Sequence, residues 1–414
     1  MLKKKIHNIT SKAVLRNLQS EEKNPFMTFS NSPNGWKKYL AFDPVDQCDH
    51  SCTEGISPLL DFVKKHRGKF LAGYLSYDLG YELHQIPNPK KDSSNPPFFR
   101  FAAYDNFVEF NDNQGIIFYN DPQYPTQVSN ILGRDINVED ILPKSVQFLA
   151  KLEKTEYETN FNKIIDYIKA GDIYQINYTH QLEAESEATA KQLFLNLLKT
   201  NPVDFAAFWD MDDFSILSLS PESFTKIRKN IISTLPIKGT RPRGRDLKED
   251  QLMKKELLES KKEQAELFMI TDLLRNDLGK IAEIGSVKVE SKKNLQTLSK
   301  VFHTYSEVSA RLRENISGIE ALISMFPGGS ITGCPKKRAM EIIDEIESFS
   351  RGIYTGSIGY ILPNQDMDFN IAIRTVVKKG EQLYLGVGGG ITIGSTMADE
   401  YEETLAKAQS FFKN

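Results

Sequence analysis

The chain has 414 residues, enough for two or three average domains or for one large α/β unit with a sizeable core. Lysine plus arginine total 52 and aspartate plus glutamate total 55, so the net charge of −3 argues against nucleic acid or an anionic membrane as the main partner. No run approaches the roughly 18 consecutive apolar residues of a membrane helix, and the basic N-terminus lacks the apolar stretch of a signal peptide, so we expect a cytoplasmic protein.

The cysteines Cys48, Cys52 and Cys334 fit a reducing compartment. The run CDHSC, 48–52, contains donor types of a zinc site, but structural zinc commonly takes two separated ligand pairs and the chain offers no second pair. We therefore interpret Cys48 and Cys52 as loop thiols.

The N-terminal third predicts strands and one exposed loop. Residues 70–83 mix Tyr, Phe and Leu with two glycines, as a strand with bends would. Residues 87–97 are rich in Pro, Ser and Lys and predict the loop. Residues 98–112 and 115–121 predict paired strands around an Asn/Asp/Gly turn, and 121–145, weakly patterned, leads into a second unit.

From Lys154 onwards the sequence pattern predicts helices and strands more clearly. It predicts a helix near 156–169 that Gly171 stops, strands at 173–185 and 205–220, a long charged helix over 247–278, a helix from Pro335 to Phe349, strands at 353–362, 369–378 and 382–391, and a last helix over 398–412. Strand pairs and separated helices without regular alternation predict an α+β fold with largely antiparallel sheets.

Two predicted helices each carry a pair of glutamates on one face. Glu263 and Glu266 are three residues apart, and Glu400 and Glu403 repeat the spacing, with Lys407 one turn later. Mg²⁺ would neutralise such pairs, because it prefers one or two carboxylates, several waters and an anionic substrate. A solvated helix face is the alternative.

Glycine-rich segments predict close approach to a ligand. Residues 326–343 form a Gly-rich loop running into a helix, where free N–H groups attract an anion, or they are a plain helix entry. The loop lacks the Lys-Ser or Lys-Thr of a phosphate loop, which argues against nucleotide binding. Residues 384–392 place glycines at a strand end. Arg374 interrupts an apolar strand, which favours pairing with an anion.

The stretch PIKGTRPRG, 236–244, frames one lysine. Pro236 and Gly239 mark a strand end or tight loop around Lys238, and two arginines follow. A lysine on a solvated face needs no such frame, so we expect Lys238 to face a specific partner.

Together these stretches resemble the chorismate-utilising enzymes, in particular their aminodeoxychorismate synthase component I branch. The matching stretches are GDIYQINYT, SPESF, PIKGTRPRG, EQAELFMITDLLRNDLG, PGGSITGCPKKRAMEIIDEIE, RGIYTGSIGY, IAIRT and ADEYEETLAKA, which cover about 154–412, with a weaker match in GYLSYDLGYE. The resemblance implies two largely antiparallel sheets packed face to face with helices outside. Residues 1–150 would form the N-terminal part of this sandwich and 151–414 the chorismate-binding catalytic domain.

The resemblance also implies Mg²⁺ as the cofactor. Glu266 and Glu403 match the glutamates that hold the metal against the ring carboxylate, and Glu263 and Glu400 match the partners of its waters. The residues that the resemblance places around the substrate are Gln175, Gly239, Thr240, Ser330, Tyr354, Arg374, Gly390 and Lys407, with Tyr354 and Arg374 at a carboxylate.

The implied reaction is amination of chorismate at C4 by ammonia, on the route to 4-aminobenzoate and folate. Lys238 stands where anthranilate synthases carry alanine and matches a nucleophile that attacks C2. Glu222 matches the general acid for the departing C4 hydroxyl, and His303 matches the active-site histidine. Gln175 stands where isochorismate and salicylate synthases carry a water-activating lysine, and a glutamine cannot act as that base.

We therefore expect a transaminase-class enzyme that binds neither nucleic acid nor membrane. A separate glutamine amidotransferase subunit would supply its ammonia, because no cysteine here has the strand-to-helix frame of an amidotransferase nucleophile. The alternatives are an anthranilate synthase component I, which aminates C2, and a non-catalytic chorismate-binding regulatory subunit. Lys238 argues against the first, and retention of Lys238, Glu222 and both glutamate pairs argues against the second.

Overall fold

The computed structural model describes residues 1–7, 9–19, 21–30, 35–50, 55–87, 96–111, 114–134, 146–201, 203–297 and 301–412. Within these ranges, no helix is both long and apolar enough to cross a bilayer.

The helices of the described ranges are numbered along the chain. They are α1 (Ser11–Asn17), α2 (Ser57–Lys65), α3 (Leu79–Leu83), α4 (Tyr124–Gly133), α5 (Lys154–Ala170), α6 (Ala190–Thr200), α7 (Leu247–Glu259), α8 (Lys261–Gly279), α9 (Gly318–Met325), α10 (Lys336–Ile346) and α11 (Met397–Phe412).

The described strands form two antiparallel sheets. The first has the order β1 (Leu2–His7), β8 (Gln114–Tyr119), β7 (Phe107–Asn111), β3 (Lys38–Ala41), β2 (Phe26–Phe29), β11 (Phe205–Asp210), β12 (Ser215–Ser220), β21 (Thr375–Lys379), β22 (Gln382–Thr392), β10 (Gln175–Glu185) and β18 (Gly333–Cys334), with β9 (Leu149–Ala150) also on β10. The second has the order β15 (Ile237–Pro242), β17 (Val301–Arg311), β14 (Ile231–Leu235), β13 (Ser223–Arg228), β20 (Met367–Asn370), β19 (Ser357–Ile361), β5 (Phe70–Leu75), β6 (Phe99–Tyr104) and β4 (Asp46–His50), with β16 (Lys288–Thr297) also on β17.

An aromatic core joins the two sheets face to face. Tyr39 of the first sheet meets Tyr360 of the second at 4.9 Å between ring centroids, and Phe26 meets Phe70 at 6.2 Å. Helices cover the outer faces and pack apolar side chains onto them, such as Leu193 of α6 and Ile343 of α10. The predicted α+β fold with two antiparallel sheets packed face to face is confirmed.

Strands of both predicted parts, 1–150 and 151–414, enter both sheets. In the first sheet β2 lies against β11, and in the second β5 lies against β19. The two predicted parts therefore share one core.

The N-terminal predictions need two corrections. Residues 70–83 are not one bent strand, because β5 ends at Leu75 and α3 begins at Leu79. Gly80 allows this helix to approach Pro327, since a Cβ there would lie 2.9 Å from the Pro327 Cδ. Residues 98–112 contain two strands in different sheets, because the chain crosses over between β6 and β7, and only β7 pairs with β8.

Three smaller N-terminal predictions have mixed outcomes. The weakly patterned segment 121–145 contains α4, with 135–145 outside the described residues. Cys48 lies in β4 rather than in a loop, and Cys52 and loop residues 88–95 fall outside the described ranges.

The predicted helix over 247–278 is broken in two. Ser260 has an extended backbone (φ −62°, ψ 108°), and its side chain accepts a hydrogen bond from the Glu263 N–H at 3.4 Å as the N-cap of α8. Serine is a preferred N-cap, so the break has a local signal. The helix before Gly171 is confirmed as α5, and Gly171 has φ 84°.

The predicted strands at 353–362 and 369–378 are shorter than expected. The first begins at Ser357, because residues before it form a loop in which the Gly352 N–H donates to Asp78 at 2.9 Å. The second is split into β20 and β21, which belong to different sheets. Arg374 therefore lies in the link between them, at φ 50°, and not inside a strand.

Candidate active site

A cavity of about 720 Å³ lies among β15, β22, α8 and α11. Every predicted site residue except Gln175 lines it: Glu222, Lys238, Gly239, Thr240, Glu263, Glu266, His303, Ser330, Tyr354, Arg374, Gly390, Glu400, Glu403 and Lys407. Residues that are far apart in the sequence therefore converge on one cavity.

A β-bulge on β15 sets the position of Lys238. Lys238 pairs with Thr304 and Thr240 with His303, so Gly239 is the extra residue. Gly239 has φ 75°, and a Cβ there would lie 2.9 Å from the Leu257 Cδ1. Glycine suits this backbone, which explains the glycine that follows Lys238.

Lys238 and Glu222 line the same cavity, and the charge of each affects the pKa of the other. Removal from water lowers the pKa of the Lys238 amine, against the attraction of Glu222 and Glu266. Burial raises the pKa of Glu222 to about 7, although the Ser330 hydroxyl donates to its Oε1 at 2.8 Å. Burial therefore favours the neutral amine of Lys238 relative to a solvated lysine, and about half of Glu222 is protonated at pH 7.

Gln175 lies beneath the cavity wall rather than in it. Its side chain is 1% exposed, and a Cβ on Gly390 would lie 2.6 Å from its Nε2 and 3.7 Å from the Lys238 Nζ. The Gln175 Oε1 is buried without a hydrogen-bond partner among the described residues. The missing side chain of Gly390 therefore leaves room for the Gln175 amide and the Lys238 amine to lie near one another.

His303 is a buried, neutral imidazole. Burial and the nearby charge of Arg374 lower its pKa to about 4. Its Nδ1 and the Thr240 Oγ1 are 2.8 Å apart and share a hydrogen bond. Its Nε2 is buried and finds no partner in the part of the chain that the structure describes, so it can exchange a hydrogen bond with a ligand.

Arg374 and Tyr354 form the wall beyond β22. No hydrogen bond or ion pair joins the Arg374 guanidinium to another described side chain, and burial lowers its pKa. A half-buried cation without a counter-charge in the described ranges favours an anionic ligand. Tyr354 packs directly on Gly386, where a Cβ would lie 2.1 Å from the Tyr354 Cγ.

The four predicted glutamates face the cavity from two helices. Glu263 of α8 pairs with Arg241 at 2.8 Å, and Glu403 of α11 pairs with Lys407 at 2.7 Å. Glu400 accepts a hydrogen bond from the Ser395 hydroxyl at 2.6 Å, yet burial raises its pKa. Glu263 and Glu400 do not lie on a solvated helix face, which was the alternative, because Glu400 is 9% exposed and the Glu263 side chain is 17% exposed.

The donor set fits Mg²⁺ better than a softer metal. Glu266, Glu403, Glu263 and Glu400 offer only carboxylate oxygens, and the Glu263 Oε2 is buried without a partner in the described ranges. No three acidic, His or Cys side chains of the described residues converge as a ready metal cage. Water or ligand oxygens would have to complete the shell, as Mg²⁺ usually requires.

Several cavity residues escaped the sequence-based prediction. Arg241 and Asn177 line the cavity, and both lie inside stretches that had been singled out. Lys262 lines it and follows the α8 N-cap. Ser395, which donates to Glu400 without lining the cavity itself, carries no local signal, because this contact depends on how the chain enters α11.

A model of the chorismate binding enzyme family matches residues 8–413. The aminodeoxychorismate synthase component 1 of Klebsiella aerogenes is 38% identical over 339 residues, 81% of this chain and 74% of that protein. The anthranilate synthase component 1 of Pseudomonas aeruginosa is 39% identical over 280 residues, 68% of this chain; the match spans only 57% of that relative's length.

Solved structures share the fold over nearly the whole chain. Anthranilate synthase component I from Streptococcus pneumoniae TIGR4 superposes with a TM-score of 0.84 at 27% identity, covering 99% of both chains. The menaquinone-specific isochorismate synthase from Escherichia coli gives a TM-score of 0.78 at 15% identity, covering 100% of this chain and 94% of that one. At that identity the second likeness concerns the fold alone.

Proposed function

The chain belongs to the chorismate-binding enzyme family, and from that premise we propose that it aminates chorismate at C4 with ammonia, giving 4-amino-4-deoxychorismate and water. The observation that carries the proposal is Lys238, a partly desolvated amine at the cavity wall beside a carboxyl group of raised pKa. Desolvation favours the neutral form of the amine, which is the form that acts as a nucleophile.

In the proposed reaction the Lys238 Nζ bonds to C2 while the ring double bonds shift and the C4–O bond breaks. Glu222 gives its proton to the departing oxygen, so that water leaves. Ammonia then bonds to C4, the double bonds shift back, and the C2–N bond breaks to return Lys238. The proton that ammonia sheds restores the acid.

The other cavity residues would bind and orient the substrate. Arg374, a half-buried cation without an anionic partner among the described residues, suits a chorismate carboxylate, and Tyr354 lines the same cavity. Glu266 and Glu403, with Glu263 and Glu400 behind them, would hold Mg²⁺, which when bound would neutralise the second carboxylate. His303 would hydrogen-bond the substrate through its buried Nε2.

Anthranilate synthase is the competing function, since relatives with that activity are as similar to this chain as the aminodeoxychorismate synthases. Amination at C2 requires no lysine nucleophile, so the desolvated Lys238 favours C4. A non-catalytic binder would not need the Lys238–Glu222 pair. The transaminase label is wrong for this chemistry, because the amino group comes from ammonia and no amino acid is exchanged with a keto acid.

Ammonia would come from a separate glutamine amidotransferase subunit. A nucleophile of that class needs a strand-to-helix turn with a histidine and a carboxylate behind it. Cys48 lies inside β4, not at a turn from a strand into a helix. Cys334 ends β18 directly before α10, but burial and the nearby Asp272 and Asp277 raise the pKa of its thiol, which disfavours a thiolate nucleophile.

Product analysis tests the proposal directly. The purified chain is incubated with chorismate and Mg²⁺, in one arm with an ammonium salt at alkaline pH and in the other with glutamine. We expect 4-amino-4-deoxychorismate in the ammonium arm and no turnover in the glutamine arm. Anthranilate as the main product would overturn the C4 assignment, and glutamine-dependent turnover would overturn the separate subunit.

A further inference from the structure

Arg241, the first arginine after Lys238, was not among the predicted site residues. It lines the cavity and binds one of the cavity glutamates. Its Nη1 donates to the Glu263 Oε1 at 2.8 Å and to the Thr240 carbonyl at 2.9 Å. Its Nε lies 3.9 Å from Glu256 of α7. The guanidinium thus connects β15 to the helices that form one side of the cavity.

The second oxygen of Glu263 has no such support. The Oε2 is buried and makes no hydrogen bond within the described residues. A Cβ on Gly239 would lie 3.1 Å from this oxygen, so it rests against bare backbone. A buried carboxylate oxygen without a donor is unfavourable, which is the state expected of an acceptor that waits for a ligand.

We propose that Arg241 is a positioning residue for a divalent cation at this cavity. By fixing the Oε1 of Glu263 it directs the Oε2 towards the position where a metal-bound water can donate to it. The inference rests on the Mg²⁺ site of the proposed function and adds a residue to it. Partners behind metal-site groups commonly set their orientation, and a planar guanidinium does so more rigidly than an ammonium.

The positive charge of Arg241 has the opposite effect, since it repels a cation. That charge is already paired with Glu263, and the Arg241 side chain is 30% exposed, so solvent screens much of it. Orientation of Glu263 therefore outweighs repulsion, and loss of Arg241 weakens metal binding.

Mn²⁺ binding to the metal-free chain, measured by electron paramagnetic resonance without chorismate, tests this. We expect Arg241→Met to raise the Kd for Mn²⁺ about tenfold, at the low end for such groups, and Arg241→Lys to recover part of the loss. Arg243→Met is the matched control. Arg243 lies in the same motif but pairs with Asp250 at 3.0 Å, away from the cavity, so its loss should lower the Tm and leave the Kd unchanged.

A double-mutant cycle tests whether Arg241 affects metal binding through Glu263 or independently of it. Glu263→Gln should also raise the Kd for Mn²⁺, and adding Arg241→Met to it should change nothing further. Additive effects, unchanged or tighter binding by Arg241→Met, or no Mn²⁺ binding by the unmodified chain would each overturn the proposal. Neither chorismate nor turnover enters the measurement, so failure of the C4 assignment would leave its outcome intact.

Discussion

At the scale of single residues, the cavity depends on positions where a side chain is missing as much as on those where one is present. Gly239 forms the bulge that carries Lys238 and lies under Glu263, and Gly390 leaves the space that the Gln175 amide occupies. Both glycines lie in stretches that the sequence marks as unusual, so their importance was predictable. The contact of Arg241 with Glu263 was not, because it joins a strand to a helix 22 residues later through tertiary packing.

Gly239→Ala should lower both stability and turnover. The residue has φ 75°, and its Cβ would meet Leu257 and Glu263, so we expect a loss of about 1–3 kcal/mol and a displaced Lys238. Gly171→Ala is the control, because Gly171 has φ 84° with nothing within 4 Å. Urea denaturation and turnover with ammonium should show that both variants are destabilised and only Gly239→Ala loses activity; equal turnover in the two would refute a role for the bulge.

Because of Glu222, the rate of the covalent step should fall as the pH rises through about 7. Its pKa is raised to about 7, so the protonated acid is present below that pH and is lost as the pH rises through it. Protonation of Lys238 should reduce the rate at the acidic side, which makes the profile bell-shaped. Single-turnover formation of the lysine adduct without ammonia measures this, and Glu222→Gln should be slow and lack the alkaline limb. An unchanged alkaline limb in that variant would remove Glu222 from the role of acid.

At the scale of elements, local signals predicted helix ends better than strand partners. Gly171 ends α5 as its sequence position indicates, and Ser260 has the chemistry of an N-cap although the helix pattern continues through it. The crossing between β20 and β21 is not visible in the hydrophobic pattern, because both strands contain buried apolar residues. Which sheet a strand joins is decided by distant partners, here β13 for β20 and β12 for β21.

Arg351 holds several walls of the cavity together. It pairs with Glu347 at 2.7 Å and donates to the carbonyls of Ile331 at 2.9 Å and Asn177 at 2.6 Å. Arg351→Met should cost about 3 kcal/mol or more, because it leaves Glu347 buried without its counter-charge. The double variant with Glu347→Leu should cost less than the sum of the single variants.

Urea denaturation measures this coupling, and an exposed pair is the reference. Arg275 pairs with Asp272 at 2.7 Å on the surface, so Arg275→Met should change the free energy of unfolding by less than about 0.5 kcal/mol. A loss for Arg351→Met no larger than that of the exposed pair would contradict its role as a link between the walls.

At the scale of the whole molecule, the cavity belongs to the assembled sandwich. β15 and β17 supply Lys238 and His303 from the second sheet, while β22 supplies Gly390 from the first. The loop that carries Tyr354 is tied to the N-terminal part, since Asp78 accepts from the Gly352 N–H at 2.9 Å. The resemblance in the sequence selected residues that, Gln175 excepted, line one cavity, whereas their convergence from two sheets required the structure.

The central claim is that Lys238 forms a covalent bond to the substrate, and intact-protein mass spectrometry tests it most directly. Incubated with chorismate and Mg²⁺ but no ammonia, the unmodified chain should gain the mass of chorismate less one water, and peptide mapping should locate it on Lys238. Lys238→Ala and Lys238→Arg, the second of which keeps the charge, should gain nothing. No adduct on the unmodified chain, or an adduct of equal yield on either variant, would contradict the account.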